Sequence, residues 1–285
     1  MTAPLPPAPA AAVDWAHIVL PDTWPDRLRL QYLTHPWLIA RSMIRKRKRR
    51  LELPPDMPGR ERLPRYLLQE FHYLPNGNYS KSISSGYANG FDKVMLGSLA
   101  RARACIAGHL RDARRVLDIG AGAGHLGGAM REAGIPEVWA LEPSPYLLQH
   151  AARRYPGLQC VQGVIEDSGL PSGQFDGAGA CFVFHELPPR YATKALRELH
   201  RLLQPGAKLV IAEPSASQLQ GSMISLWRRF GWRGWYFRAL AGRVYEPFLT
   251  AWHGTNHAQR FADNGFDLIQ DEDHMPWRLL VARRR

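Results

Sequence analysis

Residues 115–127 read RVLDIGAGAGHLG, and this stretch decides the fold of the chain. Its first part, 115–119, is a short apolar run that ends in a glycine-rich turn, a pattern typical of a buried parallel strand. Residues 125–133 are then predicted to form a helix, with Gly134 just after its last turn. Glycines between a strand and a helix let the backbone approach a ligand, with the helix N-terminus facing it. The stretch therefore predicts a ligand-binding strand–loop–helix unit.

Strand and helix patterns alternate from this unit to the end of the chain. Further strands are predicted at 137–142, 158–163, 175–184, 207–213, 266–272 and 277–284, and helices at 145–155, 189–203 and 255–264. Such alternation is typical of α/β proteins. The predicted fold class is α/β, with a doubly wound, mostly parallel, seven-stranded Rossmann-like sheet.

The rest of the chain is predicted to form a tail, an extension and an insertion. Residues 1–12 are rich in Pro and Ala and are expected to be a mobile tail. Residues 13–90 are predicted to be a helical N-terminal extension and lid, with the Gly-, Asn- and Ser-rich stretch 66–90 as the lid. The α/β domain covers 91–285. Its aromatic insertion after strand five, 214–252, is expected to determine substrate specificity.

Composition excludes several classes of protein. The chain has 285 residues, 45% of them apolar, so it can bury a core and is not expected to be disordered. It contains no apolar run of the roughly 18 residues that a spanning helix needs, and its first residues do not resemble a secretory signal. Its three cysteines indicate neither a disulfide framework nor a zinc site. A cytoplasmic location is therefore expected.

The net charge of +12 is concentrated in two stretches. Residues 41–65 hold ten Arg or Lys against three acids, and residues 222–243 hold five Arg, six aromatic residues and no acid. Interleaved rings and arginines are typical of membrane interfaces and of nucleic-acid surfaces. One interpretation is a solvated charge run and a core-packed aromatic helix. The other is contact with an anionic partner, for which a membrane at its inner face is favoured over nucleic acid.

Two acids beside the glycine loop separate two classes of cofactor. The loop contains the GxGxxG spacing of dinucleotide sites at Gly122, Gly124 and Gly127. Asp118, just before the glycines, would repel a pyrophosphate but would favour a cationic aminoacyl sulfonium. Glu142, at the end of the next strand, can accept hydrogen bonds from both hydroxyls of a ribose. Together the two acids favour S-adenosylmethionine over NAD.

The motifs around these residues resemble those of one enzyme superfamily. VLDIGAGAG (116–124) resembles motif I of the class I S-adenosylmethionine-dependent methyltransferases, and ALEPS (140–144) resembles the acidic end of their strand two. FDGAGACFVFHELPP (175–189) is similar to their strand four and its loop, and HRLLQPGAKLVIAE (200–213) to their strand five. The HEL tripeptide is similar to that of ubiquinone/menaquinone-biosynthesis (UbiE-like) small-molecule methyltransferases. The resemblance implies a methyltransferase domain over 91–285 with S-adenosylmethionine as cofactor.

The resemblance also implies roles for individual residues. It places Asp118, Gly120, Gly122 and Gly124 around the methionine part of the cofactor and Glu142 at its ribose. Strand three of the family ends in an acid that meets the adenine amino group. Here Val164 replaces that acid, so the adenine contact is assigned to Glu166 or Asp167. Phe182, near the end of the predicted strand four, is assigned to the cofactor as well.

Candidate catalytic residues follow strand four and lie in the predicted lid. His185 stands at the carboxyl edge of the sheet, where open α/β sheets bind ligands, and its ordinary pKa of about 6.5 suits a general base. The alternative is a histidine that hydrogen-bonds a loop or the cofactor. Glu186 is expected to orient His185 or to contact the cofactor. Tyr79 and Tyr87 are expected to cap the site or to hold the acceptor, unless they only pack in the lid.

No metal site is predicted. His253 and His257 are four residues apart, a spacing that can share a metal ion, but no nearby acid or cysteine completes a ligand set.

Three functions stay open on the sequence alone. The favoured one is methyl transfer from S-adenosylmethionine to a hydrophobic small molecule, such as a quinone precursor, a polyketide or another natural product. The second is an RNA methyltransferase that uses residues 41–65 as an electrostatic footprint. The third is a cofactor-binding interaction module without turnover. Neither the methylated atom nor the oligomeric state is predicted.

Overall fold

A computed structural model describes residues 13–28, 31–45, 51–220 and 222–285. The predicted tail at 1–12 and the densest part of the basic run, 46–50, lie outside the described residues. None of the helices in the described part is long and apolar enough to cross a membrane.

The core of the structure is one seven-stranded sheet. Its strands are β1 (Arg115–Ile119), β2 (Glu137–Glu142), β3 (Gln159–Gln162), β4 (Phe175–Cys181), β5 (Leu203–Pro214), β6 (Phe266–Asp273) and β7 (Trp277–Arg284). The order across the sheet is β3-β2-β1-β4-β5-β7-β6. The first five strands are parallel, and β7 pairs antiparallel with β5 and with β6. The predicted doubly wound, mostly parallel sheet is confirmed.

Helices cover both faces of this sheet and surround its edges. They are α1 (Gln31–Arg45), α2 (Lys81–Val94), α3 (Ser98–Leu110), α4 (His125–Glu132), α5 (Pro145–Arg154), α6 (Pro189–Leu202), α7 (Met223–Phe230), α8 (Trp232–Ala241), α9 (Leu249–His253) and α10 (His257–Asp263). Ile106, Leu126 and Leu148 of α3, α4 and α5 belong to one apolar cluster. Leu199 of α6 and Phe261 of α10 belong to another. Parallel strands buried on both sides need this double cover, which explains their apolar sequences.

The sequence-based boundaries differ from the structure in three places. Helix α2 spans 81–94, so the predicted boundary at residue 90 falls inside a helix that the Gly- and Ser-rich sequence did not indicate. Its N-cap Ser80 accepts a hydrogen bond from the Ile83 amide, which compensates for weak helix formers. Strand β5 begins at Leu203, directly after α6, rather than at the predicted residue 207. Helix α10 begins at His257 rather than at the predicted residue 255, and Asn256 caps it by accepting a hydrogen bond from the Gln259 amide.

The N-terminal extension is fixed over the carboxyl ends of the parallel strands by buried polar groups. The carboxylate of Asp26 accepts hydrogen bonds from Thr23, Ser80 and Ser82. Burial would raise the pKa of Asp26, but these hydrogen bonds lower it to about 2. Asn76 donates to the carbonyl of Glu52 and accepts from its amide. These contacts hold the segment 66–80 in place.

The insertion after β5 contains a helical hairpin that leaves its three tryptophans exposed. In α7, Leu226 is buried, whereas Trp227 is 55% exposed. The hairpin is attached through Phe237 of α8, which packs on Met95 and Leu99. Helices α7 and α8 therefore lie beside α2 and α3 with their tryptophans outward.

Candidate active site

The glycine loop lies between β1 and α4, at the carboxyl ends of the parallel strands. Gly120, Gly122 and Gly124 have φ angles of 59°, 54° and 79°, a region that favours glycine. A Cβ on Gly120 would lie 2.8 Å from a methyl carbon of Val183, so a larger residue does not fit there. The amide of Gly122 donates to Glu142 Oε2 at 2.9 Å. The loop is thereby tied to the end of β2.

Asp118 supports the loop from within the fold. Its Oδ2 accepts a hydrogen bond from the amide of Gly127 at 2.8 Å, and the side chain is buried. Burial raises the pKa of Asp118 to about 8 and outweighs that hydrogen bond. Asp118 therefore holds the loop against α4. Its contact with the methionine part of the cofactor stays a prediction.

Glu142 is positioned by two backbone amides. One carboxylate oxygen accepts from Gly122 and the other from Ser144, each at 2.9 Å. Burial raises the pKa of Glu142 to about 7, against the effect of these hydrogen bonds. Each oxygen keeps a second lone pair, which can accept a ribose hydroxyl. The geometry suits the predicted ribose contact.

The two acids predicted for adenine lie in different cavities. Glu166 lines the same cavity as Gly120, Gly122 and Glu142, whereas Asp167 lines a neighbouring one. The hydroxyl of Tyr66 donates to Glu166 Oε1 at 2.9 Å. The other oxygen, Oε2, is buried and has no hydrogen-bond partner among the described residues. It is therefore available to an amino group, which favours Glu166 over Asp167.

Aromatic residues of the lid close the cofactor cavity on the side opposite the loop. Phe71, Tyr79 and Tyr87 line it together with Phe182 and Glu186. Burial raises the pKa of both tyrosines, so their hydroxyls stay neutral. The predicted residues Tyr79 and Phe182 thus lie in one cavity with the glycine loop. Phe182 has a positive φ of 61°, and its ring lies edge-on to His185, with 5.8 Å between centroids.

His185 is held by a buried carboxylate that the sequence analysis overlooked. Glu213, the last acid of β5, accepts from His185 Nδ1 at 2.6 Å and from the amides of Val183, Phe184 and His185. When the imidazole is neutral and its proton is on Nδ1, Nε2 carries the lone pair. Nε2 is buried and has no hydrogen-bond partner in the described part of the chain. Glu213 therefore fixes both the loop after β4 and the orientation of the imidazole.

Two further residues complete a group of four side chains that we name the acceptor-side cluster: His72, His185, Glu186 and Glu246. His72 Nε2 lies 3.4 Å from Glu186 Oε1 and 3.3 Å from Glu246 Oε1. His185 Nε2 lies 3.6 Å from Glu246 Oε1. His72 has a left-handed backbone (φ 54°), and its amide donates to the carbonyl of Tyr245, which brings lid and insertion together.

Burial and mutual charge set the pKa values in the cluster. Burial lowers the pKa of His185, but Glu213 and Glu246 raise it well above its usual value. Burial also lowers the pKa of His72, but Glu246 and Glu186 raise it above its usual value. Burial raises the pKa of Glu186, whereas the two histidines hold the pKa of Glu246 far below its usual range despite burial.

Sequence reasoning missed His72, Glu213 and Glu246 for different reasons. Glu213 carried a signal, because it ends a parallel strand at the ligand edge of the sheet. Glu246 is the only acid in the basic-aromatic insertion 214–252, which could have marked it. His72 carried no signal, since its position depends on how two distant loops meet.

The two histidines weighed as metal ligands, His253 and His257, have different contacts. His253 Nε2 lies 3.0 Å from the carbonyl oxygen of Pro214. His257 is buried, and neither ring nitrogen has a hydrogen-bond partner among the described residues. It packs on Trp252 with ring centroids 4.3 Å apart.

Comparisons with known proteins point to one class of enzyme. Residues 117–211 match a family model described as a methyltransferase domain. An uncharacterized methyltransferase of Synechocystis is 27% identical over 174 residues, which cover 60% of this chain and 76% of that protein. The demethylmenaquinone methyltransferase of Chlorobaculum tepidum is 27% identical over 100 residues, 35% of this chain and 40% of that one. The chain thus spans less than half of the latter protein.

A solved structure shares the fold. It is the 1,6-didemethyltoxoflavin-N1-methyltransferase of Burkholderia thailandensis with bound 1,6-didemethyltoxoflavin and S-adenosylhomocysteine. The TM-score is 0.52 at 19% identity, and the match covers 83% of this chain and 94% of that one.

The sheet order and the matched domain together define a class I, Rossmann-like transferase. The chain is an S-adenosylmethionine-dependent methyltransferase, and S-adenosylmethionine is its cofactor. The predicted resemblance to UbiE-like enzymes is confirmed by the match to a demethylmenaquinone methyltransferase.

Proposed function

We propose that the protein transfers the methyl group of S-adenosylmethionine to a hydrophobic small molecule that binds between the glycine loop and the aromatic lid. One observation carries this proposal. A single cavity joins the predicted cofactor residues Glu142 and Glu166 to Phe71 and Tyr87 of the lid and to Glu186 of the acceptor-side cluster. Donor and acceptor can therefore be held in line, which is the main requirement for methyl transfer.

A second cavity offers room for an apolar part of the acceptor. It has a volume of about 620 Å³, lies between α1 and α2, and is lined by Ile39, Phe91 and Val94 among others. Leu74 and Tyr87 line both cavities. We propose that the reacting end of the acceptor lies at the cluster and that its apolar part extends past Tyr87. His185, Glu186 and Tyr79 are the residues proposed to face the reacting end.

We further propose that the α7–α8 hairpin contacts an anionic membrane surface from which an apolar acceptor is taken. Trp227, Trp232 and Trp235 are each more than half exposed, and the rings of Trp227 and Trp235 are 6.3 Å apart. The guanidinium of Arg233 lies over the ring of Trp232 at 5.9 Å. Exposed tryptophans beside arginines are typical of interfacial helices. The RNA alternative rests on the basic run 41–65, whose densest part, 46–50, lies outside the described residues.

Label transfer tests the reaction. Purified protein would be incubated with S-adenosylmethionine labelled in its methyl group and with cell extract, and the labelled product identified by mass. We expect a small apolar product, and no transfer by Gly122→Arg, because the new side chain fills the cofactor cavity. Gly134→Arg is the matched control, since Gly134 also has positive φ but is exposed. Labelled RNA would contradict the proposal, and no transfer at all would favour a module without turnover.

Co-sedimentation tests the membrane contact. Anionic and neutral phospholipid vesicles would be compared across a salt series, with RNA as the competing partner. We expect binding to anionic vesicles that weakens with salt and falls in Trp227→Ala/Trp235→Ala. Ile269→Ala, which removes an exposed apolar side chain from the edge strand β6, is the control. Binding that is unchanged in the double variant, or that occurs only to RNA, would refute the contact.

A further inference from the structure

We propose that the acceptor-side cluster is a binding site for one divalent transition-metal ion, with His72, His185, Glu186 and Glu246 as its ligands. The side chains come from three separate segments: the lid, the loop after β4, and the loop between α8 and α9. Ligand atoms of His72, His185 and Glu186 all lie within 4.8 Å of one another. The described residues contain no other group of this kind.

The orientation of His185 is that of a metal ligand. Its Nδ1 donates to Glu213 at 2.6 Å, and its Nε2 is directed at the other members of the cluster without a hydrogen-bond partner. Histidine ligands characteristically donate their second ring nitrogen to a carboxylate, which fixes the tautomer and raises the basicity of the ligating nitrogen. A buried ring nitrogen without a hydrogen-bond partner is costly whether or not it is protonated, and a metal ion would replace the Nε2 proton and satisfy the lone pair.

The spacing of the cluster is also that of ligands around a shared ion. Charge-assisted hydrogen bonds between nitrogen and oxygen are usually about 2.7–2.9 Å long. The three separations measured here are 3.3, 3.4 and 3.6 Å. An ion bonded at about 2.1 Å in a tetrahedral arrangement holds its ligand atoms about 3.4 Å apart. The three separations are close to that value, and the ligand atoms of His72, His185 and Glu186 lie within 4.8 Å of one another.

The ligand types narrow the class of ion. Two imidazoles with two carboxylates suit Zn²⁺, Mn²⁺, Fe²⁺ or Co²⁺ rather than Ca²⁺ or Mg²⁺, which prefer oxygen ligands alone. His72 adds a second sign of a specialised site, because it keeps a left-handed backbone that costs free energy in a non-glycine residue.

The proposed ion deepens the proposed function, on which this step rests. Glu186 lines the cofactor cavity, so an ion at the cluster would be within reach of the acceptor. It would bind an acceptor hydroxyl, such as a phenol, and release its proton to solvent by lowering its pKa. The oxygen would then attack the methyl carbon while the carbon–sulfur bond breaks and its electron pair stays on sulfur. The products are a methyl ether and S-adenosylhomocysteine.

Metal binding can be tested without any acceptor. The full chain would be stripped with a chelator, and Zn²⁺ binding measured by calorimetry and by metal analysis after gel filtration. Co²⁺ would report the ligand geometry through its visible absorption. We expect one ion per chain, with affinity lowered at least tenfold in His72→Ala and in Glu246→Gln. His274→Ala is the control, because His274 also pairs with a carboxylate, Glu272, but on an exposed part of the chain.

The outcomes separate this proposal from the proposed function. Absence of a bound ion, or an affinity equal in wild type and both ligand variants, would overturn the metal site. Label transfer that continues at full rate in the stripped protein would overturn the catalytic role of the ion while leaving the methyltransferase intact. A bound ion with the expected variant effects but no label transfer would support the site and count against the proposed function.

Discussion

Replacing Glu213 by glutamine should be among the most damaging conservative changes in the protein. Glu213 is fully buried at the end of β5. One of its oxygens accepts from the amides of Val183 and Phe184 at 2.9 and 2.7 Å. The other accepts from the amide and from Nδ1 of His185 at 3.1 and 2.6 Å. The ionised carboxylate thus accepts all four hydrogen bonds, because both of its oxygens are acceptors.

The magnitude follows from this count. A glutamine amide has one acceptor oxygen, so its NH₂ group must face two of the four donors in either orientation. Hydrogen bonds to a charged group contribute about 1.5–3 kcal/mol each, so the loss of two costs about 3–6 kcal/mol. The free energy of unfolding of a domain is typically about 5–15 kcal/mol. Glu213→Gln should therefore remove a large part of the stability.

Calorimetry and urea unfolding would measure the effect. At about 2–4 °C per kcal/mol, the loss predicts a fall of roughly 6 °C or more in Tm. Glu272→Gln is the control, since its side chain is half exposed on β6 and should change stability by less than about 0.5 kcal/mol. A loss below about 1 kcal/mol in Glu213→Gln would refute the assignment of four strong hydrogen bonds to this carboxylate.

Three further predictions concern the loop, the ribose contact and a buried histidine. Gly120→Ala should weaken S-adenosylhomocysteine binding at least tenfold in calorimetry, because the added carbon meets Val183 at 2.8 Å and φ is 59°; unchanged affinity would contradict the fit. The pKa of Glu142 is near 7, and an ionised carboxylate is the stronger acceptor. S-adenosylhomocysteine should therefore bind about fivefold more tightly at pH 8 than at pH 6. If Glu142→Gln keeps this pH dependence, a group other than Glu142 causes it. Burial lowers the pKa of His257 to about 4 in the folded protein. Between pH 6.5 and pH 4 the unfolded chain therefore binds a proton at His257 that the folded chain does not. The free energy of unfolding should fall by up to about 3 kcal/mol over that range. His257→Phe should flatten that part of the stability profile in urea unfolding, and an unaltered profile would show that another group titrates.

The parts of the fold that were predictable from sequence are those whose signals are local. The run before Gly120 had to be a buried parallel strand, because a short apolar segment followed by a glycine turn and a helix has few other solutions. The acids Asp118 and Glu142 were predictable for the same reason, since each ends a strand at the ligand edge. Asp118 lies in β1 just before the glycines, and Glu142 ends β2 and is tied to Gly122; their contacts with the cofactor stay predictions.

The parts that were not predictable depend on tertiary contacts. Helix α2 contains poor helix formers, and its stability comes from the Ser80 cap and from packing rather than from propensity. The acceptor-side cluster joins His72 to Glu246 across 174 positions of sequence, through the hydrogen bond from the amide of His72 to the carbonyl of Tyr245. No local sequence pattern predicts a contact between segments so far apart in the chain.

The lid has a consequence for the kinetics of the enzyme. One continuous stretch of chain, from Tyr66 to Tyr87, contributes to the lining of the cavity that also contains Gly120, Glu142 and Glu186. In the proposed function this segment covers both donor and acceptor, and spent cofactor leaves past it. In an enzyme built this way, turnover follows the opening of a segment, and the displacement at carbon need not be the slowest step. Solvent viscosity would then slow the steady-state rate, while the first turnover of a preloaded enzyme would be unaffected.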